Sequence, residues 1–248
     1  SDVYKRQFQD IVAFCVKSIS IKDFIERTYS SVVSDVTIAF SELVANSWDA
    51  GATTVNITLP SKANEKIIIE DNGSGMTDDE FQERWMVIAY NRVAHQGQYI
   101  EYTSLQGKAK RLAYGRNGIG RHSMLCFNDQ YEVETWRNGT CNKYLISVDG
   151  GDSAFSVIEH NIFSREGHGT KLSVKAVKKI PQKKEVKQTL GYRFLFDPEF
   201  TVYVNNEKIE FQKNLKPLVS KDINTKAKNN LKISIYTCLL YTSDAADD

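Results

Sequence analysis

Near residue 40 the chain carries apolar residues on almost every side of a predicted helix. Ser34 or Asp35 is placed to cap this helix and Gly51 to stop it, so the pattern predicts a helix that ends at Ala50. A helix that is apolar nearly all round is buried in a protein core. We therefore expect this helix to lie inside the domain.

One narrow polar stripe runs along the same helix. Glu42, Asn46 and Asp49 stand at i, i+4 and i+7, which places them within an arc of roughly 60° around the helix axis. A carboxylate on a buried helix requires a ligand, a metal ion or a polar partner, because an unpaired buried charge is costly. The stripe therefore predicts a binding site, with a structural hydrogen-bond network around Asp49 as the alternative.

The remaining pattern is helix-rich early in the chain and strand-rich later. Strands are predicted at 55–59, 67–71, 131–137, 141–148, 154–160, 169–177, 202–204 and 208–211, and helices at 77–90, 120–127 and 183–195. Residues 8–29 favour a helix or an extended arm, and the polar residues 91–114 favour a mobile loop. This order predicts an α+β fold, a two-layer sandwich of one mixed, mostly antiparallel sheet with helices on one face.

Composition narrows the class of protein only slightly. The 248 residues are 41% hydrophobic and 25% charged with a net charge of +1, which is typical of a globular protein without a strong global field. The four cysteines show no zinc-ligand or disulfide spacing, which favours a reducing, cytoplasmic environment. No apolar run approaches the length of a membrane span.

We interpret residues 1–7 and 239–248 as non-native end segments, and we expect the natural protein to continue beyond residue 238.

Two glycine-rich turns carry further candidate chemistry. Asp71 ends a buried strand, where its carboxylate can accept a hydrogen bond from a ligand amine, and the glycines that follow, Gly73 and Gly75, allow a flat ring to approach the backbone. The loop 115–120 precedes a predicted helix, and its exposed N–H groups suit phosphate oxygens. Taken singly, each turn is more often structural than functional.

A fourth motif, Gly167 to Thr170, leads into a predicted strand. In this order and spacing, the four motifs resemble the N box, the two glycine boxes and the Gly-Thr box of the GHKL ATPases, the superfamily of gyrase, Hsp90, histidine kinases and MutL. The resemblance covers residues 33–177 and is closest in wording to the MutL, Hsp90 and MORC-like members.

The resemblance implies a Bergerat-type sandwich that binds ATP and Mg²⁺. Glu42 would be the catalytic base, Asn46 the Mg²⁺ ligand and Asp71 the acceptor for the adenine amino group. The other nucleotide-binding positions that it implies are Asp49, Gly73, Gly75, Met76, Gly115, Gly118, Ile119, Gly120 and Thr170. Thr170 would support Asp71 or a water molecule bound to adenine.

The resemblance also implies a lid at 91–114 and a nucleotide cycle that drives lid closure and homodimer formation in a larger protein. We expect the ATP-binding domain at 8–180, and at 181–238 a C-terminal extension or the start of a truncated transducer-like domain. Many dimeric members take a catalytic lysine from that downstream domain. No clear counterpart occurs here, so we expect slow hydrolysis, with turnover by this chain alone open to question.

Two further predictions, of phosphate contact and of nucleic-acid contact, concern basic residues. Candidates for phosphate contact are Lys108, Lys110, Arg111, Arg116 and Arg121, although a solvated loop charge is the commoner role for each. A lysine run at 175–187 could contact nucleic acid, although a solvated face is the commoner reason for such a run. No membrane partner is expected.

Two other functions stay open. A histidine kinase catalytic domain is disfavoured because all four histidines follow the N box, whereas the acceptor histidine usually precedes it. An ATP-sensing module that binds without turnover would have the same motifs.

Overall fold

The computed structural model describes residues 34–87, 90, 92–103, 110–114, 120–148, 155–194, 197–210, 219–224 and 230–235. The predicted helix or arm at 8–29 lies outside these residues. The chain divides into two compact units, Ser1–Ile209 and Glu210–Asp248. In the second unit the described residues form a hairpin of two antiparallel strands, Val219–Asn224 and Asn230–Ile235.

The described residues of the first unit form helices of three kinds. They are α1 (Val36–Asp49), α2 (Asp78–Glu80) with a π-helical continuation (Phe81–Trp85), α3 (Arg92–Gln96), a 3₁₀ helix (Gly120–Cys126) and α4 (Lys183–Phe194). Asp35 caps α1, because its carboxylate accepts hydrogen bonds from the backbone N–H groups of Thr37 and Ile38. The predicted capping box of α2 is present between Thr77 and Glu80.

Eight of the ten strands described in the first unit form one sheet. The strands are β1 (Thr54–Thr58), β2 (Lys66–Asp71), β3 (Tyr99–Glu101), β4 (Lys110–Leu112), β5 (Gln130–Arg137), β6 (Thr140–Ser147), β7 (Ser156–Ser164), β8 (Gly169–Lys175), β9 (Thr201–Val204) and β10 (Glu207–Lys208). The order in the large sheet is β10-β9-β1-β2-β8-β5-β6-β7, and β3 pairs with β4 separately. Only β1 and β9 pair in parallel within this sheet, so the predicted mixed, mostly antiparallel α+β fold is confirmed.

The core lies between this sheet and helices α1 and α4. Phe40 and Val44 of α1 are fully buried, and Trp48 packs edge-on against Phe200 with ring centroids 5.1 Å apart. Phe194 at the end of α4 packs against the same tryptophan. The prediction of a buried helix near residue 40 is therefore confirmed.

Two hairpin turns follow directly from the sequence. Asn138 and Gly139 have φ values of 55° and 80°, and Asn205 and Asn206 have φ values of 49° and 65°. Two successive residues with positive φ match the twist of antiparallel strands, and asparagine and glycine adopt that conformation most readily. Both predicted hairpins are present.

The region 77–114 differs from the prediction. The helix that begins at Asp78 ends at Trp85, not near Tyr90, and the described residues of the predicted loop at 91–114 include α3 and the antiparallel pair β3–β4. Strand β4 is anchored to α1, because the indole N–H of Trp48 donates to the carbonyl of Leu112 at 2.9 Å. This order depends on contacts with α1, which the local polar pattern does not reveal.

Residues 183–209 belong to the same compact unit as the large sheet. Strand β9 pairs in parallel with β1, matching Val55 to Val202, and the buried side chains of α4 join the core around α1. The expected boundary at residue 180 thus falls just before a helix that packs with the first unit.

Candidate functional site

The polar stripe of α1 faces a cavity. The cavity lies between α1, the turn after β2, the end of the π-helical segment, α3, the start of the 3₁₀ helix and β8. Among the predicted site residues, those that line it are Glu42, Asn46, Asp49, Asp71, Gly75, Met76, Gly120 and Thr170. Four segments that are distant in sequence therefore meet at one place.

Asp71 is the most buried carboxylate of the cavity, with 8% of its surface exposed. Its two oxygens accept hydrogen bonds at 2.8 Å from the Ser47 hydroxyl and from the backbone N–H of Gly73. Burial raises the pKa of Asp71 to about 6, although these hydrogen bonds oppose the shift. The carboxylate is thus held in a fixed orientation and changes charge near neutral pH.

Two glycines after Asp71 allow close packing of the turn. A Cβ atom at Gly73 would come within 2.7 Å of the Ala50 side chain, and Gly75 has a φ of 62° with the Trp136 carbonyl against its Cα. Gly73 does not line the cavity itself but supplies the N–H that orients Asp71. Larger residues at either position would displace the turn that carries Asp71.

Glu42 and Asn46 lie one turn apart on the cavity side of α1. The Nδ2 atom of Asn46 is buried and has no hydrogen-bond partner among the described residues. The Glu42 carboxylate lies directly against Gly120, where a Cβ would overlap it. Glycine at position 120 therefore makes room for the carboxylate, and the second glycine motif contacts the N box directly.

The pKa of Glu42 is raised, chiefly by burial and further by Asp49, while the guanidinium of Arg193 opposes the shift. Arg193 belongs to α4 and donates from Nε to the Tyr114 hydroxyl at 2.5 Å. A cation of the C-terminal helix thus acts on the carboxylate of the N box.

Asp49 takes part in a structural hydrogen bond, which was the alternative prediction for this residue. Its Oδ1 accepts a hydrogen bond at 2.7 Å from the backbone N–H of Tyr114, the residue before the second glycine loop. Asp49 thus joins the end of α1 to the chain that enters this loop while it also lines the cavity.

Thr170 stands directly opposite Asp71 in the β2–β8 ladder, and its hydroxyl is 3.4 Å from that of Thr135. Thr135 in turn accepts the backbone N–H of Met76 at 2.8 Å. The Gly-Thr motif and the first glycine motif are therefore joined through β5.

Three predicted positions, Gly115, Gly118 and Ile119, lie outside the described residues. Conversely, the cavity contains residues that no motif had indicated, namely Ser47, Arg84, Trp85, Tyr90 and Arg92. Of these residues, only Ser47 could have been predicted from the sequence, because a serine on a buried helix needs an acceptor for its hydroxyl. The others belong to segments whose local pattern predicted a plain helix or loop.

A family model described as "Histidine kinase-, DNA gyrase B-, and HSP90-like ATPase" matches residues 33–160. These residues include α1, both glycine motifs and the strands β1 to β6. The chain belongs to this family. As a member of the GHKL superfamily it is an ATP-binding domain, and the recognition from the four motifs is confirmed.

Similar proteins are diverse in function. The chain is 27% identical over 198 residues to a protein of Herpetosiphon aurantiacus with the name "Putative type II restriction enzyme HgiDII", covering 74% of this chain and 30% of that protein. It is 31% identical over 135 residues to the chaperone protein HtpG of Chlorobium phaeobacteroides, covering 53% of this chain and 20% of that protein. The alignments thus span less than a third of either relative.

A solved structure shares the fold of this GHKL domain. The ATPase and transducer domains of DNA topoisomerase II from Balamuthia mandrillaris superpose with a TM-score of 0.51 at 16% identity, covering 72% of this chain and 49% of that chain. At this identity the similarity concerns the fold alone.

Arg111 of the GHKL domain has a different environment from the solvated or phosphate-contacting one that we expected. Its guanidinium lies over the ring of Trp48 at 4.0 Å and donates to the carbonyls of Trp48 and Ala52 at 2.6 and 2.7 Å. Asp197 lies 3.7 Å from it. Arg111 therefore anchors β4 to α1 and does not line the cavity.

The other cations that we expected to contact phosphate have different environments. Lys110 pairs with Glu101 at 2.9 Å, Arg121 lines the cavity, and Lys108 and Arg116 lie outside the described residues. In the lysine run, acceptors are found for Lys178, Lys179, Lys183 and Lys187. Three of the six lysines of the run thus pair with carboxylates, Lys178 with Asp129 and both Lys183 and Lys187 with Glu207, and nucleic-acid binding through the run stays a prediction.

His122 follows the second glycine motif as a packing residue. It stacks on Phe155 at 3.8 Å, its Nδ1 lies 2.7 Å from the Tyr131 hydroxyl, and burial lowers its pKa to about 3. The imidazole is therefore neutral at physiological pH.

In the described part of the chain, no helix is long and apolar enough to cross a membrane.

Proposed function

We propose that this GHKL domain binds ATP with Mg²⁺ in the cavity and hydrolyses it slowly. Family membership supports ATP binding. The observation that carries the finer proposal is the meeting of Glu42, Asn46 and Asp71 at one cavity, each with a different chemical capacity. Phosphoryl transfer needs positioning and charge stabilisation more than covalent chemistry: these three residues would supply the positioning, and Mg²⁺ held by Asn46 would supply the charge stabilisation.

Asp71 would recognise adenine. The bonds to Ser47 and Gly73 hold its carboxylate in one orientation and leave lone pairs for a ligand amino group. Thr170, opposite Asp71, would support this contact directly or through water. Gly75 and Met76 would form the surface on which the base lies.

Asn46 would hold Mg²⁺. Magnesium prefers oxygen ligands and is usually held by one or two protein side chains together with water and phosphate oxygens. The carboxamide oxygen of Asn46 would be such a ligand, because Asn46 lines the cavity one helical turn from Glu42. Bound Mg²⁺ would neutralise phosphate charge, and Asn46 would fix its position relative to Glu42.

Glu42 would act as the general base. Its carboxylate is partly desolvated, and the raised pKa makes it a stronger base than an exposed glutamate. It would orient the attacking water molecule and accept its proton as the water oxygen bonds to the γ-phosphorus and the bond from that phosphorus to the β,γ-bridging oxygen breaks, so that ADP leaves. The contact with Gly120 would keep this base beside the phosphate-binding loop.

Calorimetry with ATP, ADP and Mg²⁺, followed by measurement of phosphate release, tests the proposal. ATP labelled in its γ-phosphate distinguishes the alternatives, because transfer of label to protein would indicate a kinase and transfer to water an ATPase. Binding without phosphate release, also in a longer chain, would indicate a sensor. Absence of any adenine-nucleotide binding would reject the proposal.

We also infer that ATP binding closes the region 91–114 and promotes homodimer formation within a larger protein. The alignments cover at most 30% of the relatives described above, so a downstream domain is compatible with this role. Light scattering with a non-hydrolysable ATP analogue should show a doubling of mass. An unchanged mass with saturated ATP sites would contradict nucleotide-driven dimerisation.

Arg193→Gln is expected to move the acidic limb of the hydrolysis pH profile to higher pH. The guanidinium lowers the pKa of Glu42, so its removal should raise that pKa further and leave less of the base ionised at a given pH. The profile of kcat against pH measures the shift. Lys187→Gln, on the same helix but paired with Glu207, is the control and should leave the limb in place.

A further inference from the structure

Among the residues that the structure describes, three guanidinium groups line the cavity, and they differ in how their charge is compensated. Arg84 is paired with Glu80 at 3.1 Å, and Arg92 donates to the carbonyls of Asp49 and Gly97 at 3.3 Å. For Arg121 no carboxylate, carbonyl or hydroxyl acceptor occurs among the residues that the structure describes. Arg121 is therefore the guanidinium of this wall whose donors are available to a ligand.

The surroundings of Arg121 are aromatic rather than acidic. Its guanidinium lies 5.4 Å from the centre of the Tyr90 ring, and burial lowers its pKa to about 10, against small opposing effects of Tyr131 and Tyr90. The group stays charged at neutral pH while much of its hydration is lost. A partly desolvated cation without a carboxylate partner is costly unless an anion joins it.

The acidic groups of the cavity do not supply that anion in the described structure. Asp71 is bound to Ser47 and Gly73, and Asp49 accepts the backbone N–H of Tyr114. Glu42 lies against Gly120, the residue before Arg121, and the cation that opposes its raised pKa is Arg193. Among the described residues Arg121 thus has no counter-charge, and an anion bound in the cavity would supply one.

We propose that Arg121 binds the phosphate chain of the nucleotide and thereby makes this site selective for ADP and ATP over adenosine. The proposal rests on the proposed function and adds a specificity-determining residue to it. A guanidinium can donate two parallel hydrogen bonds to phosphate oxygens, a geometry that a lysine cannot reproduce. The cation comes from the same chain and lies next to Gly120, so no downstream domain is needed for this contact.

Arg121→Gln tests the proposal by calorimetry with ATP, ADP and adenosine. Loss of charge-assisted hydrogen bonds should weaken ATP and ADP binding by about 10- to 100-fold and leave adenosine binding unchanged. Arg121→Lys should recover part of the loss, because it restores the charge without the paired donors. Arg84→Gln is the matched control and should cause a smaller loss, since its charge is already paired.

Other outcomes would overturn the proposal. ATP binding by Arg121→Gln with the affinity of the unmodified protein would exclude the contact. An equal loss of adenosine binding would indicate a structural role, and an equal loss in Arg84→Gln would indicate a general effect of positive charge. If the unmodified protein binds adenosine but discriminates no phosphates, the Arg121 contact fails while adenine recognition stands. If it binds no adenine compound, the proposed function fails as well.

Discussion

Glu42→Ala is expected to lower ATP turnover by about 100- to 10,000-fold, which is the usual contribution of a positioned general base. Nucleotide affinity should change little, because the residues proposed to bind adenine and Mg²⁺ are Asp71 and Asn46. Phosphate release under saturating ATP measures the first effect, and calorimetry measures the second.

The control for this variant is Glu83→Ala, which removes an exposed glutamate of the π-helical segment outside the cavity. It should leave both turnover and affinity intact. Unchanged turnover in Glu42→Ala would exclude Glu42 as the base. Loss of affinity together with turnover would indicate that Glu42 maintains the cavity, where it already packs against Gly120.

Asp71→Asn is expected to weaken ATP binding by about 10- to 100-fold, the effect of losing a hydrogen bond to a charged group in a buried site. An amide has one acceptor oxygen, whereas the carboxylate accepts from Ser47 and Gly73 and still has capacity for a ligand amine. Its NH₂ group would face the donor of one of these partners. Calorimetry measures the loss, and thermal unfolding verifies that the variant is folded.

The pH dependence of binding distinguishes this explanation from a general disruption of the site. Because the pKa of Asp71 is raised to about 6, the ATP affinity of the unmodified protein should fall as pH is lowered through about 6. Asp71→Asn should lack this change. An Asp71→Asn variant with full affinity, or with the same loss of affinity at low pH, would show that another group is responsible.

The raised pKa of Asp71 also affects the stability of the fold, which should decrease as pH rises, whereas ATP affinity should increase. A carboxyl group whose pKa is higher in the folded than in the unfolded protein stabilises the fold most below its unfolded pKa of 3.8. That contribution disappears as pH rises through about 6. ATP binding favours the ionised form, so the affinity proposed for this site is obtained at some cost to the stability of the free protein.

Much of this site could be predicted because the relevant signals are local. The stripe of Glu42, Asn46 and Asp49 follows from helical periodicity, and Asp71 at a strand end follows from the apolar run before it. The Asn138–Gly139 hairpin follows from the backbone preference of two residues. The order of the four motifs then indicated the family before any contact was known.

Other features depend on residues that are distant in sequence. Strand β9 pairs with β1 across about 150 residues, and no local pattern indicates that it continues this sheet in parallel. Arg111 appeared to be a solvent-exposed or phosphate-binding cation, but Trp48 and Asp197 form a buried site for it. In each case the partner, not the residue itself, determines the role.

The sequence by itself therefore determined the family, the α+β class and eight of the motif residues that converge on the cavity, because periodicity and motif order act over short stretches of chain. Only the tertiary structure decided which of those residues are already bonded and which have capacity for a ligand. Ser47 orients Asp71, Asp49 holds the entry to the glycine loop, and Arg121 alone among the three cavity arginines has no oxygen acceptor in the described structure. Hydrogen-bond satisfaction and burial depend on the packing of several elements together, and no single segment of the chain specifies them.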